Sequence, residues 1–121
     1  MKIKNLFTYQ KMICKAFSDC QTRLLETRCT DIEAFINRNM IIIIYRVTSV
    51  SEEKHSRSTI RGRRIDRILH QIKQDEYHSS MKAILSEITG YDVVFIQSNI
   101  PVSNEEQIEI YRMDGEILAL N

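Results

Sequence analysis

The chain has few residues that interrupt regular structure. Its 121 residues include three glycines, Gly62, Gly90 and Gly115, and a single proline, Pro101. Glycine and proline mark turns and loops, so their scarcity argues against long irregular segments and predicts long helices and strands. The scarcity of glycine also excludes the glycine-rich loop that many proteins use to hold phosphate groups.

Cysteines and apolar runs are also limited. Cys14, Cys20 and Cys29 are odd in number and lack the short paired spacing of a zinc site, so we expect reduced thiols in a cytoplasmic protein. The longest apolar run, Met40 to Tyr45, has six residues, whereas a membrane-spanning helix needs about 20. The N-terminus lacks the apolar core of a signal peptide. We therefore expect any membrane role to be peripheral.

Opposite charges balance overall but are separated along the chain. There are 17 Lys and Arg against 16 Asp and Glu, and this composition is typical of a globular domain. The stretch from Lys54 to Lys73 is basic, whereas residues 87 to 116 are acidic. The basic stretch predicts a partner-binding face made of Arg57, Arg61, Arg63, Arg64 and Arg67. An acidic protein surface or lipid headgroups fit it better than nucleic acid, because no aromatic residue lies between Val50 and Lys73 to stack on bases.

Hydrophobic spacing predicts a first helix and a strand hairpin. Apolar residues at steps of three and four predict an amphipathic helix over 3–25. A hairpin follows over 31–48, and its turn is predicted at Asn37, Arg38 and Asn39 because asparagine tolerates a positive φ angle.

The second strand of this hairpin is apolar on both faces. Successive side chains of a strand alternate between faces, and residues 41–44 are all isoleucine. One face can pack on the protein's own helices, and the other needs a second subunit or another partner. We predict an outer face for partner binding or dimerisation that contains Phe35, Ile41, Ile43 and Tyr45. We expect a homodimer for this reason.

A helical region is predicted over 52–89, between a cap at Ser51 and a cap at Gly90. Its apolar residues form two sets on nearly opposite sides of a straight helix. The first set is Ile65, Ile68, Leu69 and Ile72, and the second is Tyr77, Met81, Ile84, Leu85 and Ile88. Either the helix is kinked or split at residues 73 to 76, or a continuous helix buries its two halves against different surfaces.

A second strand pair is predicted over 92–113. Its residues repeat those of the first hairpin, since Ile42, Ile44, Tyr45 and Arg46 match Ile108, Ile110, Tyr111 and Arg112. This indicates either an internal helix–strand–strand repeat or two ordinary hairpins. Both alternatives predict a single α+β domain over 1–121, with one four-stranded antiparallel sheet, helices on a face and the order α-β-β-α-β-β.

The residues give no positive signal for catalysis, a metal or a cofactor. Neither a nucleophile elbow nor a metalloprotease helix is present in the sequence. Asp66 and His70 are four residues apart, but two ligands do not make a metal site. We therefore predict a non-catalytic protein that needs no metal or cofactor.

The order of these elements resembles the MpsC-like family, a small bacterial domain named for the C component of the sodium-translocating membrane-potential-generating system. The similarity rests on Arg61-Gly62-Arg63 in the basic helix, on Glu87-Ile88-Thr89-Gly90, and on Gln97-Ser98-Asn99. It covers residues 5 to 113.

The resemblance implies an accessory role. Relatives are associated with a membrane complex that contains an antiporter-like subunit and moves cations or inorganic carbon. The resemblance thus implies a cytoplasmic, peripheral component at the inner face of the membrane, which docks on the membrane subunits of a cation-translocating complex. The alternative is a nucleic-acid-binding regulator that uses the basic helix over 54–73.

Overall fold

The computed structural model describes residues 5–49, 60–103 and 105–117. The elements are α1 (Leu6–Leu25), β1 (Arg28–Asn37), β2 (Met40–Ser49), α2 (Ile60–Thr89), β3 (Val93–Pro101) and β4 (Glu106–Met113). The predicted α+β class and the order α-β-β-α-β-β are confirmed, with one antiparallel four-stranded sheet. The predicted start of the central helix near Ser51 lies outside the described residues.

The strands lie in the order β1-β2-β4-β3, so β2 and β4 are central. The turn between β1 and β2 consists of Arg38 and Asn39. Arg38, at φ 60°, adopts the positive φ angle that we expected of an asparagine. Asn39 is held instead by β4, because its side-chain Nδ2 donates to the Met113 carbonyl at 3.1 Å and its own carbonyl accepts from the Met113 amide at 2.7 Å.

The pairing of β2 with β4 agrees with the suggested repeat. Ile42 pairs with Ile110 and Ile44 pairs with Ile108, so each isoleucine pairs with the match of the other, as antiparallel pairing of two equivalent strands requires. Between them Ile43 pairs with Glu109. A carboxyl group therefore occupies the position that is equivalent to an isoleucine in the first hairpin.

Both helices pack on the same face of the sheet. The core contains Ile13 and Phe17 of α1 together with Met81 and Leu85 of α2, all of them fully buried. The Phe17 ring contacts the Tyr45 ring of β2 at a centroid distance of 4.7 Å. In the central strands β2 and β4, alternate residues therefore face the helices and face away, whereas register shifts interrupt this alternation in β1 and β3.

Of the two alternatives for residues 73 to 76, the structure shows a continuous helix. The 30 residues of α2 make it about 45 Å long at 1.5 Å per residue. The Lys73 ammonium lies 3.8 Å from the carboxylate of Glu26, the residue that caps the C-terminus of α1. The helices run antiparallel, since Ile84 and Ile88 line a groove with Met12 and Ala16. Residues of α2 before Lys73 therefore extend past the end of α1.

Local capping fixes where the helices end. The Asn5 side chain accepts a hydrogen bond from the Thr8 amide at 2.8 Å and begins α1. At the end of α2, Gly90 has φ 84°, which glycine adopts without steric cost. The Thr89 hydroxyl donates to the Leu85 carbonyl at 2.8 Å and accepts from the Tyr91 amide at 3.1 Å. The Thr89-Gly90 pair thus directs the chain from α2 into β3.

Candidate functional site

The N-terminal half of α2 exposes a stripe of large apolar side chains. Ile65 is 48% exposed, Ile68 56%, Leu69 50% and Ile72 49%. At 100° per residue these four lie on the side of the helix opposite Tyr77, Met81 and Leu85, which face the core. We call residues 64–72 the α2 extension. Among the described residues nothing covers its apolar stripe, because α1 ends before it and the sheet lies on the other side.

The structure places part of the predicted basic face on the same segment. Arg64 and Arg67 are exposed on the α2 extension. Arg61 and Arg63 lie in the first turn of α2, while Arg57 lies outside the described residues. Arg64 is four residues before Ile68 and therefore its neighbour on the helix surface. Basic and apolar side chains are thus side by side on the α2 extension.

The predicted outer face of the sheet was wrong for three of its four residues. Ile41 and Ile43 are fully buried and Tyr45 is 1% exposed, all three facing the helices. Only Phe35, which is 45% exposed, faces away. Residues that pair across antiparallel strands share a face, and Phe35 pairs with Ile42 rather than with Ile41 or Ile43. The two-residue turn sets this register and so decides the parity.

The expectation of a second apolar face is nevertheless correct. The open sheet face, as we call it, carries the apolar side chains Phe35, Ile42, Ile44, Phe95, Ile108 and Ile110. Phe95 is 50% exposed at one edge. Within the described ranges neither helix lies over this face. Charged residues stand around the apolar patch, with Arg112 at one end of the strands and Glu33, Arg46 and Glu106 at the other.

A buried carboxyl group lies on the opposite, helix-covered face. Glu109 is 1% exposed, and its Oε1 accepts hydrogen bonds from the Tyr77 hydroxyl at 2.8 Å and the Tyr111 hydroxyl at 2.7 Å. The pKa of Glu109 is raised to about 7, because the effect of burial exceeds that of the two hydroxyl donors, which favour the charged form. Burial and the neighbouring Glu109 carboxylate raise the pKa of both tyrosines well above the usual value.

Sequence reasoning missed this cluster. In the sequence Glu109 is part of an acidic stretch. In the structure Glu109 is buried because it pairs with the helix-facing residue Ile43. Two signals pointed to it: strand alternation places Glu109 on the same face as Tyr111, and the repeat matches it to Ile43. Because the carboxyl group is enclosed, it cannot meet a substrate, and its consequence is for stability.

The cysteines and histidines do not form a metal centre in the described part of the chain, where no group of three or more His, Cys, Asp or Glu residues is suitably placed. Cys14, Cys20 and Cys29 are free thiols. Burial raises the pKa of the Cys29 thiol to about 11, so it stays protonated at neutral pH and is a poor nucleophile. His78 contacts the Ser98 hydroxyl at 3.1 Å, which gives Ser98 of the Gln97-Ser98-Asn99 segment a packing role.

A comparison with protein-family models matches residues 8–115, nearly the whole chain, to the model described as MpsC, Na⁺-translocating membrane potential-generating system. The chain belongs to the MpsC family. No curated protein and no solved structure is significantly similar to it. The family description connects the chain with a membrane-potential-generating system. In the ranges that the structure describes, no helix is long and apolar enough to cross a bilayer.

Proposed function

We propose that this MpsC-family protein is a non-catalytic, cytoplasmic accessory component of a cation-translocating membrane complex, and that it docks on the membrane subunits through the α2 extension. The observation that carries the proposal is the exposed stripe of Ile65, Ile68, Leu69 and Ile72, which faces away from the protein's own core. Large contiguous apolar patches on a protein surface mark interaction sites.

Docking of the stripe supplies a useful binding free energy. A fully buried Ile or Leu side chain stabilises by about 1.5–3 kcal/mol, and each of the four is already about half covered. Burying the remainder therefore contributes roughly 1 kcal/mol per residue, or about 4 kcal/mol in all. This corresponds to nearly a thousandfold in affinity.

The flanking charges define the partner's chemistry. Arg64 is exposed and lies beside Ile68 of the stripe, so the surface that fits it is an apolar groove with an acidic rim. An amphipathic helix that enters such a groove is a common mode of protein recognition. Arg64 would repel the Arg64 of a second α2 extension lying alongside, which favours a different protein over a second copy at this surface.

We also propose that the open sheet face binds a second copy of the chain. Four strands spaced about 4.8 Å apart and about eight residues long give an area near 500 Å² per protomer, or about 1,000 Å² in total. That is the lower end of a specific interface. Arg112 has no carboxylate within ion-pair distance among the described residues. A two-fold axis that lies between the two sheets and runs across the strands would bring it towards the acidic end of the other copy, near Glu33 and Glu106.

Affinity purification from gently solubilised native cells tests the docking surface. The tagged protein is purified at low and moderate salt with nuclease present, and the membrane proteins that co-elute are identified. We expect an antiporter-like membrane subunit with the unmodified chain. The double variant Ile68→Gln and Leu69→Gln, which retains helix propensity, should lose most of it. The matched control is Leu6→Gln with Met12→Gln, two exposed apolar residues of α1.

Two outcomes would overturn the docking proposal. Equal recovery of the membrane subunit with the double variant would remove the α2 extension from the interface. Recovery of nuclease-sensitive nucleic acid without a membrane protein, falling steeply with salt, would favour the nucleic-acid-binding regulator instead.

Sedimentation of the purified chain tests the dimer. Phe35→Lys with Phe95→Lys places charges on the open sheet face and should yield monomers. Leu6→Lys with Met12→Lys adds the same charge to exposed positions of α1, which packs on the other face of the sheet, and should leave the dimer intact. A monomeric unmodified chain, or a dimer that persists in the Phe35 and Phe95 variant, would contradict this interface.

A further inference from the structure

A polar cavity lies between the C-terminal end of α1, the middle of α2 and the helix-covered face of the sheet. It has a volume of about 230 Å³, room for roughly seven water molecules at about 30 Å³ each. Its walls include Gln21, Tyr45, Lys73, Gln74, Asn99 and Gln107. The cavity is distinct from the stripe of the α2 extension, so a ligand bound in the cavity does not depend on the proposed docking.

Two amide groups in this cavity have unused hydrogen-bonding capacity. Gln74 is 9% exposed, yet its side chain makes no hydrogen bond to another residue in the described part of the chain. Gln107 accepts a hydrogen bond at Oε1 from the Tyr45 hydroxyl at 3.0 Å, which leaves its NH₂ group to donate into the cavity. Gln107 is half-buried, so the NH₂ groups of both amides can donate to an occupant of the cavity that accepts hydrogen bonds.

The charge of the cavity lining indicates that the occupant is an anion. Lys73 is a basic residue of the lining, and no Asp or Glu belongs to it. The nearest competitor is Glu26, whose carboxylate lies 3.8 Å from the Lys73 Nζ. This separation is long for a charge-assisted hydrogen bond, so the ammonium group can still donate to a ligand.

We propose that this cavity binds a small oxyanion, a carboxylate or phosphate group, which accepts hydrogen bonds from the Lys73 ammonium and from the NH₂ groups of Gln74 and Gln107. Two neutral amide donors and one cation match the needs of an anionic oxygen. The volume of about 230 Å³ suits a small molecule.

Side-chain amide signals in ¹H–¹⁵N spectra report directly on this site. The intact chain is titrated separately with succinate, inorganic phosphate and, as a reference for ionic strength, sodium chloride. We expect saturable shifts of the Gln74 and Gln107 NH₂ signals with succinate, with phosphate or with both. The probe that saturates distinguishes a carboxylate from a phosphate ligand.

A matched pair of variants tests the role of the ammonium group. Lys73→Met should weaken binding about tenfold or more, because it removes a charge-assisted hydrogen bond. Lys82→Met removes an exposed ammonium from the same helix outside the cavity and should leave the affinity unchanged. Shifts that follow sodium chloride equally, an absence of saturation by about 20 mM of either probe, or equal affinity in Lys73→Met would overturn the proposal.

Discussion

Raising the pH is expected to destabilise the fold through Glu109. Its pKa is about 7 in the folded chain against 4.5 for an ordinary glutamate, so the folded state holds this proton more tightly than the unfolded state does. The favourable contribution is complete below the unfolded value of 4.5 and is lost as the pH rises through 7. At about 1.4 kcal/mol per pKa unit the total is about 3 kcal/mol, of which roughly 2.5 kcal/mol falls between about pH 5 and pH 8.

Urea denaturation across this pH range measures the effect. With a slope of roughly 1–3 kcal/mol per molar urea, the midpoint should fall by about 0.8–2.5 M between about pH 5 and pH 8. Glu109→Gln retains an oxygen acceptor for the Tyr77 and Tyr111 hydroxyls but has no proton to lose, so its midpoint should vary far less. Glu87→Gln, an exposed carboxylate of α2, is the matched control and should follow the unmodified chain.

His78 changes the free energy of unfolding with pH in the opposite direction to Glu109. Burial lowers the pKa of His78 below 6.5, so its contribution increases the free energy of unfolding as the pH rises. His78 is present in both proteins and cancels in the difference between Glu109→Gln and the unmodified chain. The reasoning about Glu109 is refuted if that difference does not change with pH, or if Glu87→Gln reproduces it.

Three further substitutions test the packing and capping of the helices, each measured by urea unfolding at about neutral pH. Leu85→Ala leaves a cavity in the core and should cost about 2–5 kcal/mol, whereas Leu69→Ala on the exposed stripe should cost less than about 1 kcal/mol; similar losses would contradict the assignment of the two faces. Gly90→Ala should cost about 1–2 kcal/mol, because Gly90 has φ 84°, an angle that alanine rarely adopts. An added Cβ meets no atom within 4 Å, so the backbone angle alone causes the loss. An unchanged midpoint would show that α2 ends differently. Asn5→Ala removes the acceptor for the Thr8 amide and should cost about 1 kcal/mol, a loss that Asn5→Ser should largely avoid.

The parity of the sheet shows how far sequence reasoning reaches. The four consecutive isoleucines correctly predicted that β2 is apolar on both faces, but Ile41 and Ile43 were assigned to the outer one. The two-residue turn pairs Phe35 with Ile42, and this pairing follows from the turn length alone. The error therefore came from the register, whereas the alternation was correct.

The α2 extension and the polar cavity could not be predicted from the sequence. The sequence showed two apolar sets on opposite sides of the helix, but kinked and continuous helices both fitted it. The structure shows one continuous helix over Ile60–Thr89, and its first half extends past α1 because Lys73 lies beside the α1 cap at Glu26. The cavity brings together residues from Gln21 to Gln107, and no local pattern links positions so far apart in sequence.

The sequence by itself determined the helices, the two strand pairs, the turn after Asn37 and the cap at Gly90, because these depend on side chains within a few residues of one another. Tertiary structure alone decided which face of the sheet is covered, since both faces of β2 are equally apolar. It also decided that Glu109 is buried between two tyrosines and that the stripe of α2 has no partner within the described chain. These features depend on where the helices pack on the sheet, and that packing is a property of the whole core.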